Sequence, residues 1–433
     1  MLSQEENDLL TRVGPGMPMG ALMRQYWVPA LLSSELPEPD SPPLRVLLLG
    51  EKLIAFRGTD GRVGLLEHAC PHRGASLFFG RNEQCGLRCV YHGWKFDVTG
   101  TCVDMPNEPA ESTFKDKVRA RAYPCTERGG IIWAYLGPRT EPPPLPDLEA
   151  NMLPDGEWLV MASQQECNWL QITEGDIDTS HFGFLHRGSI RPEDMPPWTS
   201  KSELYVVRDR APHYQVIDTD IGTMYGAYVD AEPGERNWRI ALFLLPFYTK
   251  PPGGGPGLFA RVPMDDEHTM VYRMGIRGAR ALVPPEAAND PAFARVKSGL
   301  LPNTSDWYGR SRFGSNPRND FEIDRAMQRA NRGNNGYTGI VGNMQDQAMT
   351  EGMGPRYDRS QEHLGTSDSM IIRTRRRLSG AVRALVEKGV TPPGVDAPEL
   401  YRVRSAQAVL PAEADWIEAT RDVREVFVRQ ITT

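Results

Sequence analysis

Between residues 70 and 96 the sequence reads CPHRGASLFFGRNEQCGLRCVYHGWKF, a stretch holding three of the chain's six cysteines and two of its eight histidines. Four of these five fall into two short hooks, Cys70-x-His72 and Cys89-x-x-His92, separated by sixteen residues. Each hook offers one sulfur and one nitrogen donor, so two loops facing each other would enclose a single centre of mixed ligands. Any fold for this chain must bring those loops together. Six cysteines among 433 residues are too few for a disulfide framework; they fit thiols or metal ligands in a reducing compartment.

A Cys2His2 zinc site pairs like ligands, whereas cysteine and histidine alternate here. Replacing two thiolates of a [2Fe-2S] cluster by imidazoles on one iron gives the Rieske centre, and these hooks suit it. Gly74, Gly86 and Gly93 let the loops turn tightly and bring backbone N–H groups toward the sulfurs. Neutral imidazoles remove negative charge, so such a cluster is reduced more easily than a four-cysteine one. Cys85, Cys102, Cys125 and Cys167 read as small buried residues, and His68 as a loop residue beside the first hook.

From about residue 25 to 136 short apolar runs alternate with turn signals such as Asp60-Gly61, the pattern of a small all-β unit. GPRTEPPPLPDLEA, 137 to 150, suits neither helix nor central strand and marks a boundary. The expected division is an N-terminal segment, 1–24, packing with the catalytic part, a cluster domain at 25–138, and a catalytic domain at 139–433. Strand-like segments follow at 203–208, 213–217, 222–229, 237–247 and 258–275, with KPPGGGPG as a loop between the last two. In SMIIRTRRRLSGAVRALVEKG, Ile371, Leu378, Val382 and Leu385 share a helical face, and Arg373, Arg375, Arg376 and Arg377 read as its solvated side. This is an α+β pattern. A net charge of −7 disfavours a nucleic-acid partner. The opening MLSQEENDLL lacks the basic start and apolar run of a signal peptide, and no apolar stretch approaches the roughly 20 residues of a membrane span. A cytoplasmic location is expected.

A cluster alone would make an electron carrier, but EGDIDTSHFGFLH adds Asp178-x-x-His181-x4-His186. Asp178 and His181 share a helical face, whereas His181 and His186 lie about 140° apart on a regular helix. They converge only where the helix breaks or bulges, and Gly183 stands between them. Two imidazoles and one carboxylate form the facial triad of non-haem iron(II) oxygenases, which leaves positions open for dioxygen. By residue type alone the carboxylate could be Asp320, Asp324, Asp346, Glu351, Asp358 or Asp368.

The two motifs together resemble the large (alpha) subunit of Rieske non-haem iron ring-hydroxylating oxygenases. The stretches LLTRVGPGMPMGALMRQYWVPALL, RNEQCGLRCVYHGWKFDVTG, EGDIDTSHFGFLH and QDQAMTEGMGPRYDRSQEHLGTSD extend the resemblance, nearly end to end, to the phthalate dioxygenase oxygenase-component group. The resemblance implies an all-β Rieske domain inserted into a catalytic domain of antiparallel sheet and covering helices, helix-grip-like. It implies one Rieske 2Fe-2S cluster on Cys70, His72, Cys89 and His92, and one mononuclear Fe(II) on His181, His186 and Asp346. Asp178 would hydrogen-bond His181 and meet His92 of a neighbouring copy in a trimer or stacked hexamer, so a monomer would be inactive. Glu174 stands where some members carry an asparagine. An NADH-dependent flavin and iron–sulfur reductase would supply electrons, and both atoms of O2 would enter an aromatic carboxylate such as phthalate as a cis-dihydrodiol. The alternative on this scaffold is a monooxygenase or O-dealkylase acting on an aryl ether or another aromatic acid.

In NWRIALFLLPF, alternation sets Trp238, Ile240, Leu242 and Leu244 against Arg239, Ala241, Phe243 and Leu245. Arg239 there is either a clamp for a substrate carboxylate or an arginine snorkelling at a strand end. Arg208 and Arg210 are further substrate candidates. His213 and His268 read as surface residues.

Overall fold

The structure, a computed structural model, describes residues 2–195, 199–277, 299–342 and 344–425. Three small antiparallel sheets form between residues 27 and 135. One joins β1 (Trp27–Leu32) to β11 (Ile131–Tyr135) and β10 (Cys125–Arg128). The second runs β2 (Leu44–Leu48), β3 (Glu51–Arg57), β4 (Val63–Glu67) and β9 (Ala122–Tyr123). The third, which carries the second hook, runs β5 (Arg81–Glu83), β6 (Gly86–Arg88), β7 (Lys95–Phe96) and β8 (Cys102–Asp104).

The two-residue period of a strand explains how this region belongs to two cores at once. On β3, Leu53 and Ala55 enter the main core of the molecule, while Ile54 and Phe56 enter a second core beneath the hooks. On β4, Leu65 and Leu66 divide the same way. The sheet is therefore the wall between them. Its hairpin tip reaches the rest of the chain: Leu49 N–H donates to Pro263 O at 3.0 Å and Gly50 N–H to Met264 O at 2.7 Å.

The later part is built on one antiparallel sheet, eight-stranded among the described residues. Its order is β12 (Trp158–Gln165), β18 (Thr269–Ile276), β17 (Leu258–Pro263), β16 (Tyr248–Lys250), β15 (Glu235–Leu244), β14 (Gly222–Asp230) and β13 (His213–Asp218), with β19 (Ala406–Pro411) also pairing β15. Helices α1 (Gln4–Thr11) and α2 (Pro18–Met23) lie against α8 (Ser369–Lys388). Helix α3 (Trp169–Asp176) crosses the sheet over β16 and β17 and leads into the second motif.

Four expectations are corrected. Residues 203–208 form no strand but the end of helix α4 (Lys201–Arg208). The run Tyr205-Val206-Val207 suggests β-structure, but Ser200 caps the helix by accepting from Glu203 N–H and Glu203 sits in the first turn, both favouring a helical start. The segment 258–275 is two strands: Asp265 Oδ1 accepts from the N–H of Glu267 and of His268, each at 2.8 Å, and this side-chain turn reverses the chain. Arg375 is not solvated. It is buried on α8 and donates its Nε to Glu174 at 2.6 Å while its remaining nitrogens pair with Glu362, whereas Arg373 and Arg376 do face solvent. Two of the four cysteines expected to be buried, Cys85 and Cys125, are only half-buried.

Candidate functional site

The two hooks fold alike. In each, the first cysteine's N–H donates to the carbonyl five residues on, Cys70 to Ala75 and Cys89 to Trp94, both at 2.8 Å. The glycine four residues on closes the turn by donating to that cysteine's carbonyl, Gly74 to Cys70 and Gly93 to Cys89. Both glycines need positive φ, +76° and +83°, which explains their place in the motif. Gly86 serves differently, since a Cβ there would lie 2.9 Å from Lys95 Cγ. Both cysteines are buried, and the His72 and His92 rings meet edge to face with centroids 4.5 Å apart. His72 also stacks on Trp94 at 4.3 Å, and Trp94 is itself held by donating to Asn107 Oδ1 at 2.7 Å.

These side chains fit a Rieske cluster. His92 Nδ1 is buried and has no hydrogen-bond partner, an orphaned lone pair that a metal would satisfy. Burial, with Cys89 beside it, pushes the Cys70 thiol up to about 12, so a cation is needed to hold it as thiolate.

The second motif leaves α3 at Ile177 and winds into a π-helical turn over Phe182–His186. The wider turn brings His181 and His186 to one side, with ring centroids 5.2 Å apart. Gly183 has no positive φ; its role is space, because a Cβ there would stand 3.1 Å from Arg210 Cγ. Helix α7 (Met344–Gly352) then presents Asp346, whose Oδ1 lies 3.1 Å from His186 Nε2 and 3.5 Å from His181 Nε2. The donor atoms of these three all lie within 4.8 Å of one another, close enough to share one metal ion. Asp320, Asp324, Glu351, Asp358 and Asp368 are not part of this group.

Asp178 stands behind His181, its Oδ2 3.5 Å from Nδ1, and its Oδ1 accepts from Ser180 N–H at 2.7 Å. Burial raises the Asp178 carboxyl, yet His181 and Ser180 bring it below its usual value. On the other ring, His186 Nδ1 lies 2.7 Å from Oε1 of Gln345. Both Nδ1 atoms thus face oxygen acceptors, so the Nε2 lone pairs point at a carboxylate. Three lone-pair donors converging without a hydrogen between them call for a cation, and two imidazoles with one carboxylate suit non-haem iron(II). Sequence reasoning missed Gln345; nothing distinguishes its amide from other surface-type residues until the fold is known.

Glu174 is not at the metal group. It is held by Arg359 at 2.8 Å and Arg375 at 2.6 Å, and these guanidinia keep it ionised against its burial. Arg239 lines a small cleft with Arg210, Thr179 and Gly183. Its Nε donates to Thr179 Oγ1 at 2.7 Å, and its guanidinium lies 4.4 Å from the Phe182 ring centroid. The cleft backs onto the 179–183 segment; His181, His186 and Asp346 do not line it. Arg208 is exposed at the end of α4 and lies outside this cleft, because the helix turns it away from the sheet. His213 is exposed, as expected, but His268 is half-buried against Asp265 and Tyr308.

The Rieske [2Fe-2S] domain family matches residues 26–123, and the family described as LigXa C-terminal domain like matches residues 134–431. The chain is 45% identical to the 3-chlorobenzoate-3,4-dioxygenase oxygenase subunit of Comamonas testosteroni over 438 residues, 99% of this chain and 100% of that protein. It belongs to the Rieske non-haem iron ring-hydroxylating oxygenases. This oxygenase is also 38% identical to the phthalate 4,5-dioxygenase oxygenase subunit of Pseudomonas putida, over 96% of this chain and 94% of that one. Dicamba monooxygenase bound to dicamba shares the fold, with a TM-score of 0.55 at 18% identity over 85% of this chain and 100% of that one. The oxygenase is thus an oxidoreductase of a family that carries a Rieske cluster and a mononuclear iron. Among the described residues no helix is long and apolar enough to cross a membrane.

Proposed function

We propose that this oxygenase cis-dihydroxylates an aromatic carboxylate, phthalate or a halogenated benzoate. The observation that carries the reading is Arg239. Burial pulls its guanidinium below the ordinary value, and among the described residues no carboxylate lies within ion-pair distance of it. A cation so placed needs a partner, and a substrate carboxylate provides one through paired N–H···O bonds. Phe182, which Arg239 overlies, sits next to His181 and meets the His186 ring at 5.7 Å, so the cation adjoins the metal group. The relatives that act on 3-chlorobenzoate and phthalate, both aromatic acids, support the same substrate class.

In this reading Cys70, His72, Cys89 and His92 hold the cluster, within a domain at 25–138, and His181, His186 and Asp346 hold the iron, within 139–433. When bound, the iron activates dioxygen and the cluster delivers electrons singly. Asp178 orients His181 and meets His92 of the partner subunit in a cytoplasmic trimer or stacked hexamer. Arg239 orients the substrate, whereas Arg208, exposed on α4, lies outside the cleft that Arg239 lines.

A second reading is O-demethylation or related monooxygenation. It is favoured by 44% identity over 189 residues to the 5,5'-dehydrodivanillate O-demethylase oxygenase subunit of a Sphingobium strain, 43% of this chain and 44% of that one. Turnover of phthalate and 3-chlorobenzoate beside benzamide and methoxybenzoates, with a compatible reductase, tests the choice. Dihydroxylation of phthalate or 3-chlorobenzoate without turnover of benzamide supports the proposal; equal turnover of benzamide, or demethylation of the methoxybenzoates with no dihydroxylation of the other acids, contradicts it.

A further inference from the structure

We propose that Gln345 is the positioning residue of the mononuclear site: its amide oxygen holds the Nδ1 hydrogen of His186 and thereby presents the Nε2 lone pair to the metal. This rests on reading His181, His186 and Asp346 as the iron group. Gln345 and Asp346 are neighbours on α7, yet they grip opposite sides of one imidazole. Asp346 Oδ1 stands 3.1 Å from Nε2, and Gln345 Oε1 stands 2.7 Å from Nδ1. Successive helical residues point about 100° apart, so the half-exposed carboxylate and the buried amide can embrace the ring from two directions.

The orientation of the amide follows from its surroundings. Its nitrogen donates to Ile340 O at 2.9 Å, Thr338 Oγ1 at 3.1 Å and Asn334 O at 3.2 Å. Two of these are carbonyls, which only accept. An amide turned the other way would set its oxygen against both, at a side chain only 1% exposed. The nitrogen is therefore fixed toward the 334–340 loop and the oxygen toward His186. An acceptor at that distance requires Nδ1–H. The neutral ring then has its lone pair at Nε2 alone, facing Asp346.

The contact also differs in kind from that of the other ring. Asp178 approaches His181 Nδ1 with a charged oxygen at 3.5 Å, while Gln345 approaches His186 with a neutral one at 2.7 Å. A single charged partner behind the pair leaves the metal group with Asp346 and Asp178 as its two negative charges, matching a divalent ion. The neutral amide supplies tautomer control without a third.

The test uses the full-length protein with its cluster in place and the mononuclear iron removed by chelation, titrated anaerobically with Fe(II). Gln345→Met keeps the volume but removes the oxygen. It is expected to weaken Fe(II) binding by about 10–100-fold, the usual effect of losing such a partner, with the cluster's absorption and EPR spectra unchanged. Fe(II) affinity within about twofold of the unaltered protein would overturn the proposal. A second measurement needs no variant: in the Zn(II)-loaded protein carrying 15N-histidine, His186 should show a protonated Nδ1 and a metal-bound Nε2, and the reverse pattern would also overturn it. His181→Ala separates the two claims. Loss of Fe(II) binding there but not in Gln345→Met refutes this inference alone, whereas retention in His181→Ala refutes the iron group itself.

Discussion

Trp307 meets His68 edge-on, the ring centroids 5.7 Å apart at 87°. The two are 239 positions apart in the chain, and the contact braces the first hook from outside. His68 O accepts from Leu77 N–H at 2.7 Å, and Cys70 follows two residues after His68. Trp307 packs against both hydrophobic cores, with Arg45 at 5.5 Å and Lys52 at 5.4 Å from its ring centroid. An indole so placed fastens the cluster end to the rest of the molecule through dispersion and cation–π attraction.

Trp307→Ala should therefore loosen the first hook. Because the ring is half-buried, the loss is expected to be about 2 kcal/mol, below the range for a fully buried tryptophan. Thermal melts followed at the cluster's visible absorption should show earlier bleaching, with Fe(II) affinity at the His181 group unchanged. Identical bleaching temperatures would remove the bracing role.

The pairs Glu174–Arg359, Glu174–Arg375 and Arg375–Glu362 bury four charges between α3, α8 and the segment before it. Arg375→Met strands two carboxylates with one arginine, and breaking a buried pair from one side costs about 3–5 kcal/mol. Urea unfolding should show that loss. A change below about 1 kcal/mol would mean that water reaches these carboxylates.

Glu351 on α7 carries a pH prediction. Burial pushes its carboxyl up to about 7 from an ordinary 4.5, and its Oε2 is buried without a partner. The folded state thus holds this proton more tightly than the unfolded one, and stability falls as pH rises from 4.5 through about 7. The contribution lost by pH 8 is on the order of 3 kcal/mol. Glu351→Gln, neutral at every pH, should flatten that part of the stability profile measured from pH 5 to 8. An unchanged slope would place the ionised form comfortably in the fold.

Arg239→Met should raise KM for an aromatic carboxylate by roughly 10- to 100-fold, the worth of a charge-assisted hydrogen bond, and leave Fe(II) content intact. Unchanged KM would assign Arg239 to packing on Thr179 and Phe182 alone.

The parts legible in the sequence were those carried by local spacing. Two hooks with a glycine four residues after each cysteine, and two histidines five apart that require a widened helical turn, announce themselves within a few residues. So does the alternation on β15. What stayed hidden depends on contacts across long separations. Arg375 looked like one of four solvated arginines because Glu174 lies 201 residues away. Gln345 looked generic because its meaning comes from His186, 159 residues earlier. The helix at 201–208 was masked by two adjacent valines, whose β preference yields to a serine cap and to burial against the sheet.

The most direct test of the account is the mass of the product formed from phthalate or 3-chlorobenzoate with 18O2, NADH and a compatible reductase. The expected product is a dihydrodiol carrying both labelled atoms. A product with one labelled atom, or a dealkylated product formed from methoxybenzoates while the plain carboxylates are left untouched, would contradict it.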